Sequence, residues 1–584
     1  MTVSRLPSRG TSPWLVLAIV SLPVFIGALD LTIISAVLPE VIVSLRLPVK
    51  EYLDQASWAV NGYLLAYALS MTFTGRLSDL IGRRPIYIGC LLIFIGGSYL
   101  VTAYDSELLN SLIARFFNSV LGERPPRLEE RHLYLVITGR VVQALGAGAM
   151  VPITLALVGD IFPPEDRAKP LGVVGAVDTV GWVLGHLYGG VMVRFFGLHG
   201  DKIVDFFDGL NLHIGTPSWE TLFILNIPLS LIALVGAWWA LRNVSRPHDT
   251  GRFDWLGTLL ISLALIGLNL GLGASPESAA TATSFDELQT AATSYTTLFL
   301  LGALIAFLLF LFVESRIGHP LINLKLFRQR NFSSASATNL LVGYCLAVGL
   351  VSAPLLVNIR AESPTSSDIQ QAAYVAGVLL SGLTIPMALA AIPGGWLSDR
   401  LGYRVPTAVG MGLATLGFTL AGLTWEGDTS YWIMGAQMAL IGVGLGLTIS
   451  PISTAVLNDA REEERGSASA LVLILRLVGM TLAVSSLTVF SLERVDQLVA
   501  DYEPEIVTET GTDPETGEII DASIDANFEA AVQTIGELQL IGAAVSFVGM
   551  LFALLLRGGQ HEALQRQQAE RRVFPDAARG DPPG

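Results

Sequence analysis

Long apolar blocks alternate with short polar segments along almost the whole chain. Blocks such as 14–26 and 298–313 extend, through small or weakly polar neighbours, to about 20 residues, which matches the thickness of the hydrocarbon core of a bilayer. Hydropathy and chain breakers predict fourteen membrane spans and therefore a polytopic helical membrane protein. The predicted spans are 13–36, 56–77, 84–104, 133–158, 170–194, 219–241, 254–274, 296–314, 333–357, 373–397, 405–425, 431–455, 468–490 and 533–556.

The basic residues predict how these spans are oriented. With the N-terminus inside, three basic clusters fall on the same side, and cytoplasmic loops are the ones enriched in Lys and Arg. We therefore expect both termini to be cytoplasmic and the protein to lie in the plasma or inner membrane. The first apolar block runs on to Pro39 without a small-residue cleavage site, which indicates a retained helix and not a signal peptide. The clusters are Arg83-Arg84, Arg242/Arg246/Arg252 and Lys325/Arg328/Arg330.

Composition excludes several classes of protein. Only 15% of the 584 residues are charged and 52% are hydrophobic, whereas soluble domains have about 25% charged residues. The net charge of −15 and the lack of a basic stripe exclude a nucleic-acid binder. Cys90 and Cys345 lie inside apolar blocks, so a disulfide framework or a Cys-rich metal site is excluded. We expect no metal and no cofactor.

The negative charge is concentrated in one loop that is predicted to lie outside. Residues 491–537 contain 13 Asp or Glu and one Arg. Residues 505–510 and 518–522 are short strand-like runs, and 511–517 between them has the Asp-Pro and Gly content of a turn. The pattern predicts an extracytoplasmic β-hairpin flanked by helical extensions of the last two spans. A disordered acidic linker is the alternative.

A second outside loop, 106–122, has apolar residues at helical spacing. This pattern is typical of an amphipathic helix lying in the membrane interface, and a helix packed on the outer rim of the protein is the alternative. The apolar residues are Leu108, Leu109, Leu112, Ile113, Phe116, Phe117, Val120 and Leu121.

Asp30, Asp178, Arg140 and Arg476 are charged residues that lie well inside predicted spans, away from the span ends. Ionisable residues within a membrane span are costly and point to function. A carboxylate beside an arginine stays ionised, whereas an unpaired, desolvated carboxylate takes up a proton. Pairs that form and break during a conformational change therefore couple motion to protonation. A static buried ion pair is the alternative.

A glycine-flanked, charged turn at 75–85 joins spans two and three, and a related run at 395–404 follows span ten. Glycine permits close backbone approach and unusual torsions. The recurrence favours two homologous halves, as in transporters built from repeats, over two unrelated polar turns. The residues of the turns are Gly75, Asp79, Gly82, Arg83 and Arg84 in the first copy and Gly395, Asp399, Arg400 and Gly402 in the second.

Both runs resemble the cytoplasmic loop signature of the major facilitator superfamily, G-x-L-[AS]-D-[RK]-x-G-[RK]-[RK]. In that family the loop joins the second and third helices of each half, which fits this chain if spans seven and eight are inserted between two six-helix bundles. Fourteen spans then resemble the fourteen-helix drug:proton antiporter branch. The resemblance implies an all-α major facilitator fold. Its predicted parts are an N-terminal bundle at 1–245, two inserted helices at 246–320, a C-terminal bundle at 321–557 with the acidic outer loop at 491–532, and a cytoplasmic tail at 558–584.

Other stretches resemble the same branch. Residues 29–34 are similar to its first-helix motif, and Arg140-Val-Val-Gln143 followed by two glycines is similar to its fourth-helix signature. Asn226-Ile-Pro228 and Phe253-Asp-Trp-Leu-Gly257 also look like this branch.

The fifth span reproduces the glycine spacing of the antiporters, with His186 in place of their proline. The histidine is either a packed side chain without a further role or a titratable group within the fifth span. The glycines are Gly172, Gly181, Gly185, Gly189 and Gly190.

The resemblance implies transport by alternating access, driven by the proton gradient. None of the four lysines is followed by Ser or Thr, so the P-loop that binds ATP is absent. Asp30 and Asp178 are the proton-site candidates, Arg476 is the expected partner that locks one state, and Arg140 resembles the family residue tied to proton transfer. The two glycine-flanked turns are predicted to gate the cytoplasmic side.

The substrate has two interpretations. The branch implies efflux of lipophilic, often cationic drugs. The outer hairpin together with the buried charges resembles the mycobacterial triacylglyceride exporters of the same branch, which implies lipid export and an extracytoplasmic lipoprotein partner. We expect a monomer in the lipid bilayer. A membrane enzyme and a non-transporting receptor are the remaining alternatives; scattered histidines and the lack of a G-x-S-x-G elbow argue against the enzyme.

Overall fold

The computed structural model describes residues 12–209, 215–244, 252–272, 296–360, 366–509 and 516–557, and these residues are helical with short connections. In this part of the chain the helices of at least eight residues are α1 (Pro13–Ser44), α2 (Val49–Ala56), α3 (Trp58–Ile81), α4 (Arg83–Thr102), α5 (Glu107–Phe116), α6 (Leu128–Ile161), α7 (Ala168–Asp208), α8 (Trp219–Ala240), α9 (Trp255–Leu272), α10 (Thr296–Arg316), α11 (Arg330–Ile359), α12 (Ser366–Leu401), α13 (Arg404–Thr424), α14 (Tyr431–Asp459), α15 (Arg465–Glu509) and α16 (Thr516–Leu554).

A long helix lies at each of the fourteen positions predicted from hydropathy. Helices suit these blocks because a backbone in lipid must satisfy its hydrogen bonds within its own segment. Among the described residues, 12 helices are long and apolar enough to cross a membrane. Helix α3 contains more polar residues and packs against α15 of the opposite half of the molecule, so its polar residues are placed at the interface between the halves. Helix α7 also packs against the opposite half, through α12.

Two six-helix bundles form the body of the protein. Helices α1, α3, α4, α6, α7 and α8 pack together as the N-bundle, and α11 to α16 pack together as the C-bundle. Each bundle has its own core of buried apolar side chains. The bundles meet where α3 packs on α15 and α7 packs on α12.

The inserted helices α9 and α10 pack mainly against each other. Leu298, Leu301, Leu304 and Leu308 on α10 are all more than half exposed, up to 65%, as expected of a helix that faces lipid. Helix α9 also contacts both α3 and α15. The inserted pair therefore lies beside the seam where the two bundles meet.

We call the end of the bundles where α1 begins and α16 ends the inner end, and the opposite end the outer end; the inner end is the one predicted to be cytoplasmic. Helix α15 has 45 residues and α16 has 39. At 1.5 Å per residue these helices are about 68 and 58 Å long, about twice the thickness of the hydrocarbon core. Both therefore extend beyond the membrane at the outer end. There Nε and Nη2 of Arg494 on α15 each donate to Glu537 of α16 at 2.8 Å.

The prediction of a β-hairpin between the last two spans was wrong. Residues 505–509 belong to α15 and 518–522 belong to α16, while 510–515 lie outside the described residues. Extending an existing helix adds one hydrogen bond for each residue fixed, whereas an isolated two-stranded hairpin is at best marginally stable in water. The predicted helical extensions of the two spans are present and run through both strand-like stretches.

The amphipathic segment forms α5 followed by one π-helical turn over 117–121. Its polar face lies against α6, because Nη1 of Arg131 donates to the backbone oxygen of Asn110 at 3.3 Å. On the other face Leu108, Leu112, Phe116 and Val120 recur every four residues and are 51–67% exposed. An exposed apolar stripe favours the interpretation as an interfacial helix over packing on the rim.

Candidate functional site

A cavity lies between the two bundles, with about 690 Å³ of atom-free space that includes space open to solvent. Its lining is largely apolar, with Leu31, Met71 and Trp182 from the N-bundle and Met387 and Met480 from the C-bundle. Methionines adapt their shape to irregular partners, so this lining suits an apolar ligand without a fixed outline.

Asp178 of α7 and Arg476 of α15 are the two charged residues among the described residues that line this cavity. They come from opposite bundles and attract each other electrostatically, but they do not form a direct ion pair in the described structure. Nη2 of Arg476 lies 3.4 Å from Oδ1 of Asn339 on α11, and its Nε has no hydrogen-bond partner among the described residues. The two charges therefore face the cavity ready to interact with each other or with a ligand.

Asp30 on α1 lies in a separate, closed network in the core of the N-bundle. Nη1 of Arg140 donates to Oδ2 of Asp30 at 2.5 Å and to Oε1 of Gln143 at 2.7 Å. The other oxygen, Oδ1 of Asp30, accepts from Nε2 of Gln143 at 2.9 Å and from Nδ2 of Asn226 at 2.6 Å. Nε2 of Gln143 also donates to Ser98 at 2.9 Å. Asp30, Arg140, Gln143 and Ser98 are all 0% exposed, so the network is isolated from solvent.

Aromatic rings close the remaining side of Arg140. Its guanidinium carbon lies 3.9 Å from the ring centroid of Tyr63 and 5.5 Å from that of Phe223. Cations over aromatic faces are stabilised most where water is excluded. Arg140 is thus held by Asp30 on one side and by π-faces on the other.

Glycines of α7 bring the two acidic sites close together. A Cβ at Gly181 would lie 2.8 Å from an α1 backbone oxygen, and one at Gly185 would lie 2.3 Å from the backbone oxygen of Leu29. The hydroxyl of Thr32 donates to the backbone oxygen of Trp182 at 2.8 Å. Helix α7 therefore contacts α1 on both sides of Asp30, and the contact begins one turn after Asp178.

The first glycine-flanked turn closes the inner end of the cavity. Oδ1 and Oδ2 of Asp79 accept from the backbone N–H of Gly466 at 3.0 Å and of Ser467 at 3.1 Å. These groups lie in the first turn of α15, where a carboxylate is stabilised by unpaired N–H groups and the helix dipole. A Cβ at Gly75 would lie 2.4 Å from the backbone oxygen of Gly466, so glycine is required for this contact between bundles.

Arginines from both bundles reinforce this contact. Arg83 donates to Asp79 and, through Nε, to Oδ2 of Asp160 at 3.0 Å. Oδ1 of Asp160 accepts from Arg465 of the C-bundle at 3.0 Å. Nη1 of Arg167, between α6 and α7, donates to Asn458 at 2.8 Å. Burial, together with nearby Arg465, lowers the pKa of Arg167 to about 10, so the guanidinium stays protonated at neutral pH.

The second copy of the turn makes the corresponding contact in the reverse direction, with the acid in the C-bundle and the start of the helix in the N-bundle. Asp399 at the end of α12 lies beside the first turn of α7, close to the backbone N–H groups of Ala168 and Lys169. A Cβ at Gly395 would lie 2.5 Å from the backbone oxygen of Ala168, and the hydroxyl of Ser450 donates to the same oxygen. We call the contacts of Asp79 and Asp399 with the opposite bundle the inner gate, and it is closed here.

The remaining turn residues shape the two copies. Gly82 and Gly402 have φ of 112° and 79°, a region that favours glycine. Arg84 is half-buried beside a tryptophan of α8, with 5.7 Å between guanidinium carbon and ring centroid. Arg400 lies 3.9 Å above the ring of Trp396 and, among the described residues, does not contact an acid as Arg83 does.

The structure brings together several, but not all, of the predicted site residues. Asp30 joins Arg140, whereas Asp178 shares the cavity with Arg476. Of the antiporter glycines, Gly172 packs against Ala391 of the opposite bundle, with a virtual Cβ 2.5 Å from its backbone oxygen. Gly189 is buried. The surroundings of His186 and Gly190 lie outside the described part of the structure.

Several partners in these networks were missed as site residues. Gln143 and Asn226 were recognised as motif positions, and the signal for a role was an amide inside an apolar block. Asn339, which contacts Arg476, has the same signal. Asp160 and Arg465 lie at helix ends, where charged residues are ordinary, so the sequence did not distinguish them.

The sequence is similar to that of a known family of membrane proteins and to individual relatives. The sequence model of the Major Facilitator Superfamily matches residues 20–484. A triacylglyceride transporter of Mycolicibacterium smegmatis is 28% identical over 572 residues, which cover 96% of this chain and 90% of the relative. A triacylglyceride transporter of Mycobacterium tuberculosis is 30% identical over 558 residues, with 93% and 94% covered.

Solved structures support the fold. A proton:xylose symporter superposes with a TM-score of 0.55 at 12% identity, covering 92% of this chain and 94% of the symporter. A human organic anion transporter superposes with a TM-score of 0.54 at 12% identity, covering 93% and 100%. At this identity the likeness concerns the arrangement of helices alone.

Proposed function

The chain belongs to the major facilitator superfamily and is a multi-span membrane transporter, not an enzyme, and from this premise we propose that it exports lipids from the inner to the outer side of the membrane in exchange for protons. The observation that carries the proposal is the cavity between the bundles, with an apolar lining and one acid and one arginine supplied by opposite bundles. The following arguments support each part of it.

Alternating access requires a gate that opens and closes without unfolding either bundle. The inner gate consists of Asp79, which accepts hydrogen bonds from the first turn of α15, and Asp399, which lies beside the first turn of α7. Each bundle keeps its own core. Breaking these contacts between the bundles would therefore let the bundles rock apart as rigid bodies. Secondary transporters move in this way around a central site.

Proton coupling is assigned to Asp178, with Arg476 as its switch. When the two approach, the arginine holds the carboxylate ionised; when they separate in an apolar cavity, the carboxyl group takes up a proton. Because the partners belong to opposite bundles, their separation changes with the rocking motion. Protonation and gate position are thereby linked.

Asp30 and Arg140 are proposed to serve the same cycle from inside the N-bundle. Helix α7 packs on α1 beside Asp30 and carries Asp178 one turn away from that contact. A shift of α7 would therefore change the geometry around both acids. In the closed network Asp30 has a charged and two amide partners.

Lipid is favoured as the substrate class because relatives matching over nine-tenths of the chain are named triacylglyceride transporters. The cavity lining agrees, since it offers methionines and aliphatic side chains and few hydrogen-bonding groups. Drug:proton antiport is the second candidate; it is favoured by Asp178, whose negative charge would suit a lipophilic cation.

The outer extensions of α15 and α16 are proposed to deliver lipid onward. They extend beyond the membrane and belong to the most acidic part of the chain. A periplasmic lipoprotein with a basic face is the partner that fits them. This assignment places the protein in the plasma or inner membrane with both termini cytoplasmic, as the distribution of basic residues predicts.

The substrate is tested by mass spectrometry of lipids that co-purify with the protein, together with dye efflux from cells. We expect neutral lipid enriched over total membrane lipid, and enrichment reduced when the cavity is narrowed by Met387→Trp. A transporter that carries no enriched lipid, but lowers dye accumulation in a manner abolished by Asp178→Asn, would be a drug antiporter and would contradict lipid export.

A further inference from the structure

Two carboxyl groups outside the transport cavity meet at the inner end of the inserted pair. Asp254 immediately precedes α9, and Glu314 lies in the last turn of α10; they are 6% and 4% exposed. A Cβ added at Gly257 would lie 2.2 Å from Oδ2 of Asp254 and 2.8 Å from Oε1 of Glu314. The two groups therefore lie against the same glycine and are close neighbours.

Each carboxyl group has one satisfied and one unsatisfied oxygen. Oδ1 of Asp254 accepts from the N–H of Gly257 at 2.8 Å, and Oε1 of Glu314 accepts from the N–H of Leu321 at 3.1 Å. Oδ2 of Asp254 and Oε2 of Glu314 are buried and have no hydrogen-bond partner among the described residues. Capping α9 requires one oxygen of Asp254, so the cap does not explain why the second is buried.

The charges around the pair do not neutralise both acids. Arg76 on α3 acts electrostatically on Glu314, and its Nη1 lies 3.4 Å from the backbone oxygen of Glu463. Glu464 nearby contributes a further negative charge and accepts from the side chain of Asn323, close to Leu321 in the chain. Arg252 and Arg316, on the segments that carry the pair, are exposed.

Two ionised carboxylates side by side and away from water repel each other and lose their hydration. One proton between them removes the repulsion and gives an unsatisfied oxygen a partner, as in other paired carboxyl sites. We propose that Asp254 and Glu314 bind one shared proton and form a proton site distinct from those at Asp30 and Asp178.

The position of the pair connects this proton to the inner gate. Helix α9 contacts both α3 and α15, the two helices that Asp79 joins. Opening the gate separates α3 from α15, so α9 loses one neighbour and water reaches the pair. The shared proton is then released, and the gate closes again when it returns. The protonation state of the pair on the inserted helices thereby changes with the state of the gate.

The first test compares infrared spectra of the unmodified full-length protein and of its variants, each in lipid nanodiscs at neutral pH without substrate. We expect a carbonyl band from a protonated carboxyl group that is lost in both Glu314→Gln and Asp254→Asn, because either change leaves a single acid whose charge Arg76 can balance. Glu462→Gln, an exposed acid on the same side, is the matched control and keeps the band. Gly257→Ala, which keeps both acids but separates them, also loses it.

If the band persists in Glu314→Gln and Asp254→Asn while both variants elute and melt as folded proteins, the shared proton is refuted. Because no substrate is present, the result is independent of whether lipid is exported.

The second test measures the distance between spin labels at Ile81 and Leu401, both exposed at inner helix ends. In an Asp178→Asn background, which removes the proton site of the transport cavity, the open population should rise with pH, and this dependence should disappear when Glu314→Gln is added. A dependence that survives in that variant would refute the link to the gate.

Discussion

Asp30 and Asp178 are both acidic residues in helices of the N-bundle, but their surroundings are opposite. Asp30 is 0% exposed, and every oxygen of its carboxyl group has a partner, one of them the guanidinium of Arg140. Asp178 faces a cavity and approaches the charge of Arg476 without forming an ion pair. Residue type alone would give the two acids the same role, whereas their partners separate a locked charge from an available one.

This difference predicts a division of labour between stability and transport. Removing the partner of a locked charge leaves that charge buried and unsatisfied, which destabilises the fold. Removing a charge that faces the cavity leaves the fold nearly unchanged and affects the step in which that charge is used. The experiments below separate these outcomes, beginning with the largest expected effect.

Arg140→Ala should be the most destabilising of the changes considered, by about 3–5 kcal/mol, because Asp30 stays buried without its partner. Thermal unfolding of the purified protein in one detergent measures the loss. The double variant Asp30→Asn, Arg140→Ala should recover most of it, since no charge is stranded. Arg124→Ala, at an exposed site, should change stability by less than about 0.5 kcal/mol. If Arg140→Ala unfolds at the unmodified temperature, Asp30 is not a locked charge.

Asp178→Asn should abolish proton-driven transport while changing stability by less than about 1 kcal/mol, since Asp178 has no ion-pair partner to lose. Transport into proteoliposomes and thermal unfolding, measured on one preparation, separate the two effects. Asp428→Asn removes an exposed acid and should leave both unchanged. A variant that fails to fold would place Asp178 with Asp30 and contradict the comparison.

Asp79→Asn should open the inner gate more than Asp399→Asn. Asp79 accepts hydrogen bonds from two backbone N–H groups of the opposite bundle, whereas Asp399 only lies beside such groups. Charge-assisted hydrogen bonds contribute about 1.5–3 kcal/mol, so the open population of Asp79→Asn should rise at least about tenfold. Asp79 also anchors Arg83, whereas Arg400 of the second copy lies over Trp396. Spin-label distances across the inner end give both populations. Equal shifts would show that the arginine network adds nothing.

Deleting 506–520 should have the smallest effect on the protein body, because the deletion shortens the outer extensions and leaves both bundles intact. We expect impaired lipid export with unchanged efflux of small cations, measured in the same cells. Survival of both activities would remove the outer extensions from the export pathway.

The helical positions were predictable because each span must match the bilayer, and this constraint acts on local composition. The partners within the site were not predictable from local composition. Asp30 pairs with Arg140, 110 positions away, and Asp160 joins Arg83 to Arg465, contacts that only the packing of whole helices decides. The hairpin prediction failed for a related reason. The strand-like runs at 505–510 and 518–522 adjoin long helices, and helix extension overrides a short local preference.

Simultaneous measurement of proton and lipid flux in proteoliposomes with an imposed pH gradient tests the central claim most directly. For the unmodified protein we predict gradient-driven lipid accumulation with matching proton movement in the opposite direction. For Asp178→Asn we predict that lipid still exchanges across the membrane down its own gradient, but that accumulation and coupled proton movement are both lost. Accumulation that continues in Asp178→Asn, with protons still moving in step, would contradict the assignment of Asp178 as the coupling site.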